Sequence, residues 1–196
     1  GQEYCGVTPH LAAFGKAMAN GFSVSALAGR RDIMELGGIV GDQERVFLLS
    51  TTHGGETHSI AAAIKTINTI KEHNIIDHIW HIGGLIKSGL SQAAEDAGIT
   101  DLVSVGGYDC KPAFSLVDTK GKPCMTTRTL FLQETIKRGI LMPYIVPSFS
   151  HNANIIDQSM EKITEAFCVI NKARNENNIS GYVEGDIVKP VFRKFN

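Results

Sequence analysis

Lys16 lies between two glycines in Phe14-Gly15-Lys16-Ala17-Met18-Ala19-Asn20-Gly21-Phe22, among small and apolar residues. Charged side chains avoid such company unless they are paired or lose their charge. Desolvation favours the neutral amine of a lysine, and that amine is a nucleophile toward carbonyls. The competing reading is a surface lysine in a glycine turn, and this stretch alone does not separate the two. A second stretch, Ser50-Thr51-Thr52-His53-Gly54-Gly55-Glu56, follows the apolar run Val46-Phe47-Leu48-Leu49 and precedes a helical pattern. Hydroxyls, glycines and a helix N-terminus suit a phosphate, because backbone N–H groups point outward and the helix dipole favours an anion. Ser/Thr capping of an ordinary strand-to-helix loop is the alternative.

A nucleophilic lysine and a phosphate-cradling loop are together what a pyridoxal phosphate enzyme requires. Other candidates are weaker. Glu56 and His53 read as structural or as facing a ligand. His78 and His81, three apart around Trp80, have a spacing that permits metal binding but no accompanying carboxylate pattern, and no metal is expected. His151 reads as decorating a helix start. Cys5, Cys110, Cys124 and Cys168 have no CxxC spacing and fit a reducing cytosol.

These stretches need elements to position them. A formal net charge of −1 gives no electrostatic case for nucleic acid or a membrane surface. No apolar run is long enough to cross a bilayer, and the chain opens on GQEYCGVTP, without Met or a signal peptide. Leu11-Ala12-Ala13-Phe14 reads as a buried strand that places Lys16 at its end. Val24–Gly29 reads as another strand, and Arg31–Glu35 as a brief helix stopped by Gly37-Gly38. From Thr57, Ile60, Ile64, Ile67 and Ile70 form one apolar stripe of a helix broken at Asn74. A second helix runs from Ile75 to Ala97, with Gly98 as its C′ residue. Strands are expected at Leu102–Val105 and Ala113–Val117, joined by a polar segment, and a turn at Asp118–Lys122. Thr126 or Thr127 would cap a helix to Lys137, with Leu130, Phe131 and Ile136 inward. Ile140-Leu141-Met142 would begin a strand. His151-Asn152 would open a last helix to Arg174, and the tail would be irregular. The reading is an α/β class chain, with residues 1–72 as sheet pieces of one domain and 73–196 as a small α+β domain.

GVTPHLAAFGKAMANGFSVSALAGRRDIME resembles the cofactor-lysine segment of class III aminotransferases, and STTHGGETHSIAAAIKTI resembles the segment that follows it in that family. ILMPYIVPSFSHNANIIDQSMEKITEAF resembles the end of the glutamate-1-semialdehyde 2,1-aminomutase branch. The resemblance spans essentially the whole chain. It implies the C-terminal part of a fold type I, pyridoxal-phosphate-dependent enzyme, cytoplasmic and homodimeric, acting on a small amino or keto substrate. In that family Lys16 matches the Schiff-base lysine, and Thr52 matches the threonine that binds the cofactor phosphate across the dimer interface. Thr51 and His53 are its neighbours.

Departures from the family pattern are His10 in place of Asp and Ser23 in place of Pro. The acid that pairs with the pyridinium nitrogen matches no residue of this chain, so these residues alone are not expected to form a competent site. Leu141–Ser148 carries no Arg of the kind that grips a substrate carboxylate in other branches, which points to the aminomutase-like branch. The expected function is a transaminase. The alternatives are the aminomutase and, from a different class, a non-catalytic dimerising fragment.

Overall fold

The computed structural model describes residues 1–38, 44 and 54–190. The expected strand Val46-Phe47-Leu48-Leu49 and residues 50–53 of the following loop lie outside the described residues. The chain divides into two units, Gly1–Asn74 and Ile75–Asn196.

In the first unit a one-turn helix α1 (Gln2–Cys5) precedes β1 (Leu11–Phe14), which pairs antiparallel with β2 (Ala26–Gly29). The register sets Leu11 opposite Gly29 and Phe14 opposite Ala26. The sequence predicts a buried strand at Leu11–Phe14, but Leu11, Ala13 and Phe14 are exposed. Among the described residues the ribbon has two strands, and of β1 only Ala12 is half-buried. A short helix α2 (Arg31–Met34) runs into a 3₁₀ turn ending at Gly37, where the Gly37-Gly38 stop was expected. Helix α3 (Thr57–Glu72) ends before Asn74, which has φ +49°. Its buried face carries Ser59 and Ala63, about 100° round from the isoleucine stripe, and Ile60, Ile64 and Ile67 are exposed.

The second unit is built on α4 (Ile75–Asp96), α5 (Met125–Lys137) and α6 (Ala153–Asn175), with the hairpin β3 (Val103–Tyr108) and β4 (Lys111–Leu116). The hairpin pairs Val103 with Leu116 through Tyr108 with Lys111. Gly106, Gly107 and Pro112, read as part of a connecting segment, therefore lie within the strands. Ile82, Ile86 and Leu90 of α4 face Ile163, Phe167 and Ile170 of α6 in one core. Phe131 of α5 sits at its centre, 5.1 Å from the ring of Phe114 and 5.3 Å from that of Phe167. Burying each of these aromatic side chains contributes roughly 2–3 kcal/mol.

Two glycines make this packing possible. A Cβ on Gly83 would lie 1.6 Å from the carbonyl oxygen of Asp109, so only glycine lets the hairpin tip approach α4. Gly98, at φ +69°, ends α4: its N–H donates to the Glu95 carbonyl, and the Ile99 N–H donates to that of Ala94. Arg174 of α6 fixes the same corner, donating to Asp101 at 2.7 Å and to the Gly98 carbonyl at 2.8 Å.

Other expectations change in detail. Cys124, not Thr126 or Thr127, is the N-cap of α5; Thr127 is buried, and its hydroxyl donates to Cys124 Sγ at 3.2 Å. Ile136 and Ile155 point outward. Ile140–Met142 forms no strand, and Leu141 is 80% exposed. Proline at 143 removes a ladder donor, and side chains hold this segment instead. Arg128 Nη2 donates to the Pro143 carbonyl at 2.6 Å, and Lys111 Nζ donates to that of Ile145 at 3.4 Å. Asn152 caps α6, accepting from the Ile155 N–H at 3.0 Å. Among the described residues no helix is long and apolar enough to cross a membrane.

Replacing Gly83 with alanine forces the Asp109 carbonyl to move. It should lower stability by about 1–3 kcal/mol, read as a fall in the urea midpoint.

A buried carboxylate in α5 gives a pH signature. Burial pushes the Glu134 carboxyl up, but hydrogen bonds from Gln133, Arg138 and Lys137 outweigh that and bring its pKa down to about 2, from an ordinary 4.5. A lowered carboxyl pKa contributes stability that is present above 4.5 and is lost as pH falls toward 2. Glu134→Gln should remove about 2 kcal/mol of stability at neutral pH and flatten the acid limb of the stability profile, measured by urea unfolding from pH 7 down to 2.

Candidate active site

β1 ends at Phe14, and the chain then turns sharply. Gly15 is extended, and a 3₁₀ turn covers Lys16–Met18. Lys16 itself has φ +49°. This left-handed region costs a non-glycine residue roughly 1–2 kcal/mol, and such strain concentrates at functional sites. Asn20 follows at φ +47° and Gly21 at φ +117°, so three residues within six are left-handed. Asn and Gly tolerate this conformation, whereas lysine does so only when its surroundings impose it.

The turn rests on Ala19, which is 1% exposed. Lys16, Ala17, Asn20, Gly21, Phe22 and Ser23 line an open pocket of about 340 Å³. Lys16 is exposed, and among the described residues its amine has no hydrogen-bond or ion-pair partner. The desolvation expected from its apolar neighbours is therefore not supplied by the described residues. Gly15 and Ala17, on either side of Lys16, are small, and the β1–β2 ribbon beside them is exposed. What the fold does supply is an unengaged amine on a constrained backbone at the end of a strand.

The first turn of α3 lies beside this loop. The Phe22 and His58 rings meet edge to face, with centroids 5.9 Å apart. His58 Nε2 stands 3.3 Å from Glu56 Oε2 at the helix N-cap. Ser59 is 1% exposed, and its hydroxyl has no hydrogen-bond partner among the described residues. Thr52, Thr51 and His53 lie outside the described residues. Asn20, Phe22 and His58 were not singled out from the sequence. The Asn20-Gly21 pair was the available signal, because that dipeptide marks left-handed turns.

The remaining candidates have structural partners. His78 Nε2 lies 2.8 Å from the His151 carbonyl, and its ring packs on Phe149 at 5.4 Å. His151 Nδ1 accepts from the Ser148 N–H at 3.2 Å, which fastens the chain just before α6. Among the described residues no group of three or more His, Cys, Asp or Glu side chains is placed to hold a metal.

Lys16→Gly should relieve the left-handed strain and raise stability by about 1 kcal/mol, measured by urea unfolding of the intact protein. An ordinary surface lysine with negative φ would show the opposite sign.

Comparisons with known proteins bear on the family and the fold. The chain is 29% identical over 174 residues to the 3-aminobutyryl-CoA aminotransferase of Cloacimonas acidaminovorans (strain Evry), covering 87% of this chain and 40% of that one. It is 27% identical over 180 residues to the glutamate-1-semialdehyde 2,1-aminomutase of Syntrophobacter fumaroxidans (strain DSM 10017 / MPOB), covering 85% and 40%. Among solved structures, the PLP internal aldimine form of the FumI protein of Sphingopyxis sp. MTA144 matches with a TM-score of 0.73 at 21% identity, over 89% of this chain and 40% of that one. An omega-transaminase from Sphaerobacter thermophilus matches with a TM-score of 0.69 at 18% identity, over 85% and 40%. The chain thus spans about 40% of the length of these relatives and shares the mixed α/β fold of PLP-dependent transaminases over that part. The family model for class-III aminotransferases matches residues 1–167, and the chain belongs to that family of enzymes.

Proposed function

We propose that the protein is a pyridoxal-phosphate-dependent transaminase in which Lys16 is the cofactor lysine. The observation that carries this reading is the Lys16 amine, unengaged and set on a left-handed backbone at the end of β1, in a chain of this family. These residues fit the cofactor. A primary amine facing an open pocket is what an aldehyde requires, and a glycine-flanked turn leaves room for a planar ring. When bound, pyridoxal phosphate supplies an electron sink for the charge left at the substrate Cα. Lys16 Nζ would hold the cofactor, and the same amine, once released by a substrate amine, would serve as the general base that takes the proton from the substrate Cα and holds it for return.

The reading extends to Thr52, whose hydroxyl binds the cofactor phosphate of the partner subunit in a homodimer. It also assigns residues 1–72 to the cofactor-binding large domain and 73–196 to the small domain. Four free cysteines suit a cytoplasmic location.

A second reading, glutamate-1-semialdehyde 2,1-aminomutase, is favoured by the similarity to that enzyme and by the lack of an arginine within Leu141–Ser148. Arg128 reaches this segment from α5 and donates to a backbone carbonyl there. An aminomutase needs no external amino donor, so turnover that persists without an added amino acid identifies it.

The decisive experiment is borohydride reduction of the intact protein with cofactor, followed by peptide mass analysis. The cofactor should be fixed on Lys16 and lost in Lys16→Ala, and Thr52→Val should weaken cofactor binding about tenfold or more. Equal fixation in Lys16→Ala refutes the assignment.

A further inference from the structure

We propose that His58 is a positioning residue for the Lys16 pocket, clasping Phe22 to the first turn of α3. The proposal rests on the reading of Lys16 as the cofactor lysine.

The loop from Gly15 to Phe22 does not hold its own shape. Its backbone hydrogen bonds are long: Met18 N–H to the Gly15 carbonyl at 3.2 Å, Ala19 to Lys16 at 3.3 Å and Phe22 to Ala19 at 3.4 Å. These lie at or beyond the upper end of the range for good N–H···O bonds. Yet the loop keeps both Lys16 and Asn20 left-handed, so contacts from outside must fix it. Ala19 is one such contact, buried beneath the turn. A second is needed beyond Asn20 and Gly21, because glycine at φ +117° leaves the chain free to swing there.

Phe22 supplies it. Its ring lines the pocket with Lys16 and meets the His58 imidazole edge to face at 5.9 Å, with 64° between the planes. That is the favoured geometry for an aromatic pair. The Glu56 carboxylate, at the N-cap of the same 16-residue helix, stands 3.3 Å from His58 Nε2. Glu56, His58 and Phe22 therefore run as a chain of contacts from a rigid helix to the wall of the lysine pocket. His58 does not line the pocket and acts by fixing Phe22. Without the clasp the wall opens, and Lys16 samples rotamers that point its amine away from an incoming aldehyde.

The test measures cofactor capture rather than turnover. Cofactor-free intact protein is mixed with pyridoxal phosphate, and fixation on Lys16 is followed in time by borohydride trapping and mass analysis. His58→Ala should slow capture about tenfold, as expected for a displaced reacting group. His58→Phe keeps an aromatic edge against Phe22 and should restore most of the rate. Phe22→Leu, which keeps apolar bulk but loses the ring, should be slowed like His58→Ala. A wild-type rate in His58→Ala overturns the proposal. Equal slowing in His58→Ala and His58→Phe also overturns it, because the aromatic contact is then irrelevant. If the unaltered protein fixes no cofactor on Lys16, the reading of that lysine fails, and this inference with it.

Discussion

A lysine in the left-handed region is an imposed conformation. Its Cβ crowds the following carbonyl, and no side-chain gain of its own compensates. Whatever keeps Lys16 at φ +49° must therefore come from its neighbours, and those neighbours are few. Gly15 and Gly21 permit the reversal on either side, Ala19 fills the space beneath, and the first turn of α3 limits Phe22. The rest of the first unit follows from this arrangement. β1 delivers the lysine, β2 carries the chain away from it, and α3 closes one flank. A loop this strained, with so few buried contacts, has little reserve, so single contacts at its rim matter more than their individual strength suggests.

The second unit shows the opposite economy of structure. Its core is continuous from α4 through the hairpin to α5 and α6, and its helix ends are closed by left-handed residues and side-chain caps. Even its irregular stretches are tied: Arg128 and Lys111 hold the carbonyls of the Pro143–Ile145 segment, and Lys137 bridges Glu134 and Glu184. In the first unit, by contrast, the isoleucine stripe of α3 and both faces of the β1–β2 ribbon stand at the described surface. That much apolar surface is unusual for a self-sufficient fold. It agrees with a chain that spans about 40% of the length of its relatives.

Local patterns carried most of the second unit. The 3.6-residue period marked α4 and α6 to within a residue or two, Gly98 marked the end of α4, and Asn152 the start of α6. What failed was anything decided by neighbours distant in sequence. Leu11–Phe14 is apolar and so suggests a buried strand, but burial depends on what packs against it. Ile140–Met142 has strand composition, yet among the described residues no partner strand pairs with it, and proline limits its ladder. The close approach at Gly83 is invisible in sequence, because it depends on where the hairpin tip falls. At the site, Lys16 and its glycines were legible as a motif. The imidazole of His58, placed opposite Phe22 by the fold, was not.

The small, apolar setting of Lys16 suggests desolvation, yet among the described residues Lys16 is exposed. What the described residues do fix is the backbone, which holds Lys16 at φ +49°. Orientation of a reacting group can contribute as much to rate as a change in its basicity. The two causes are also separable in the chain itself. Desolvation would depend on large apolar neighbours, whereas Lys16 is flanked by Gly15 and Ala17, which shape a backbone but shield little. Gly15 and Ala17 thus bear on the backbone at Lys16, while the Phe22 ring lines the pocket beside it.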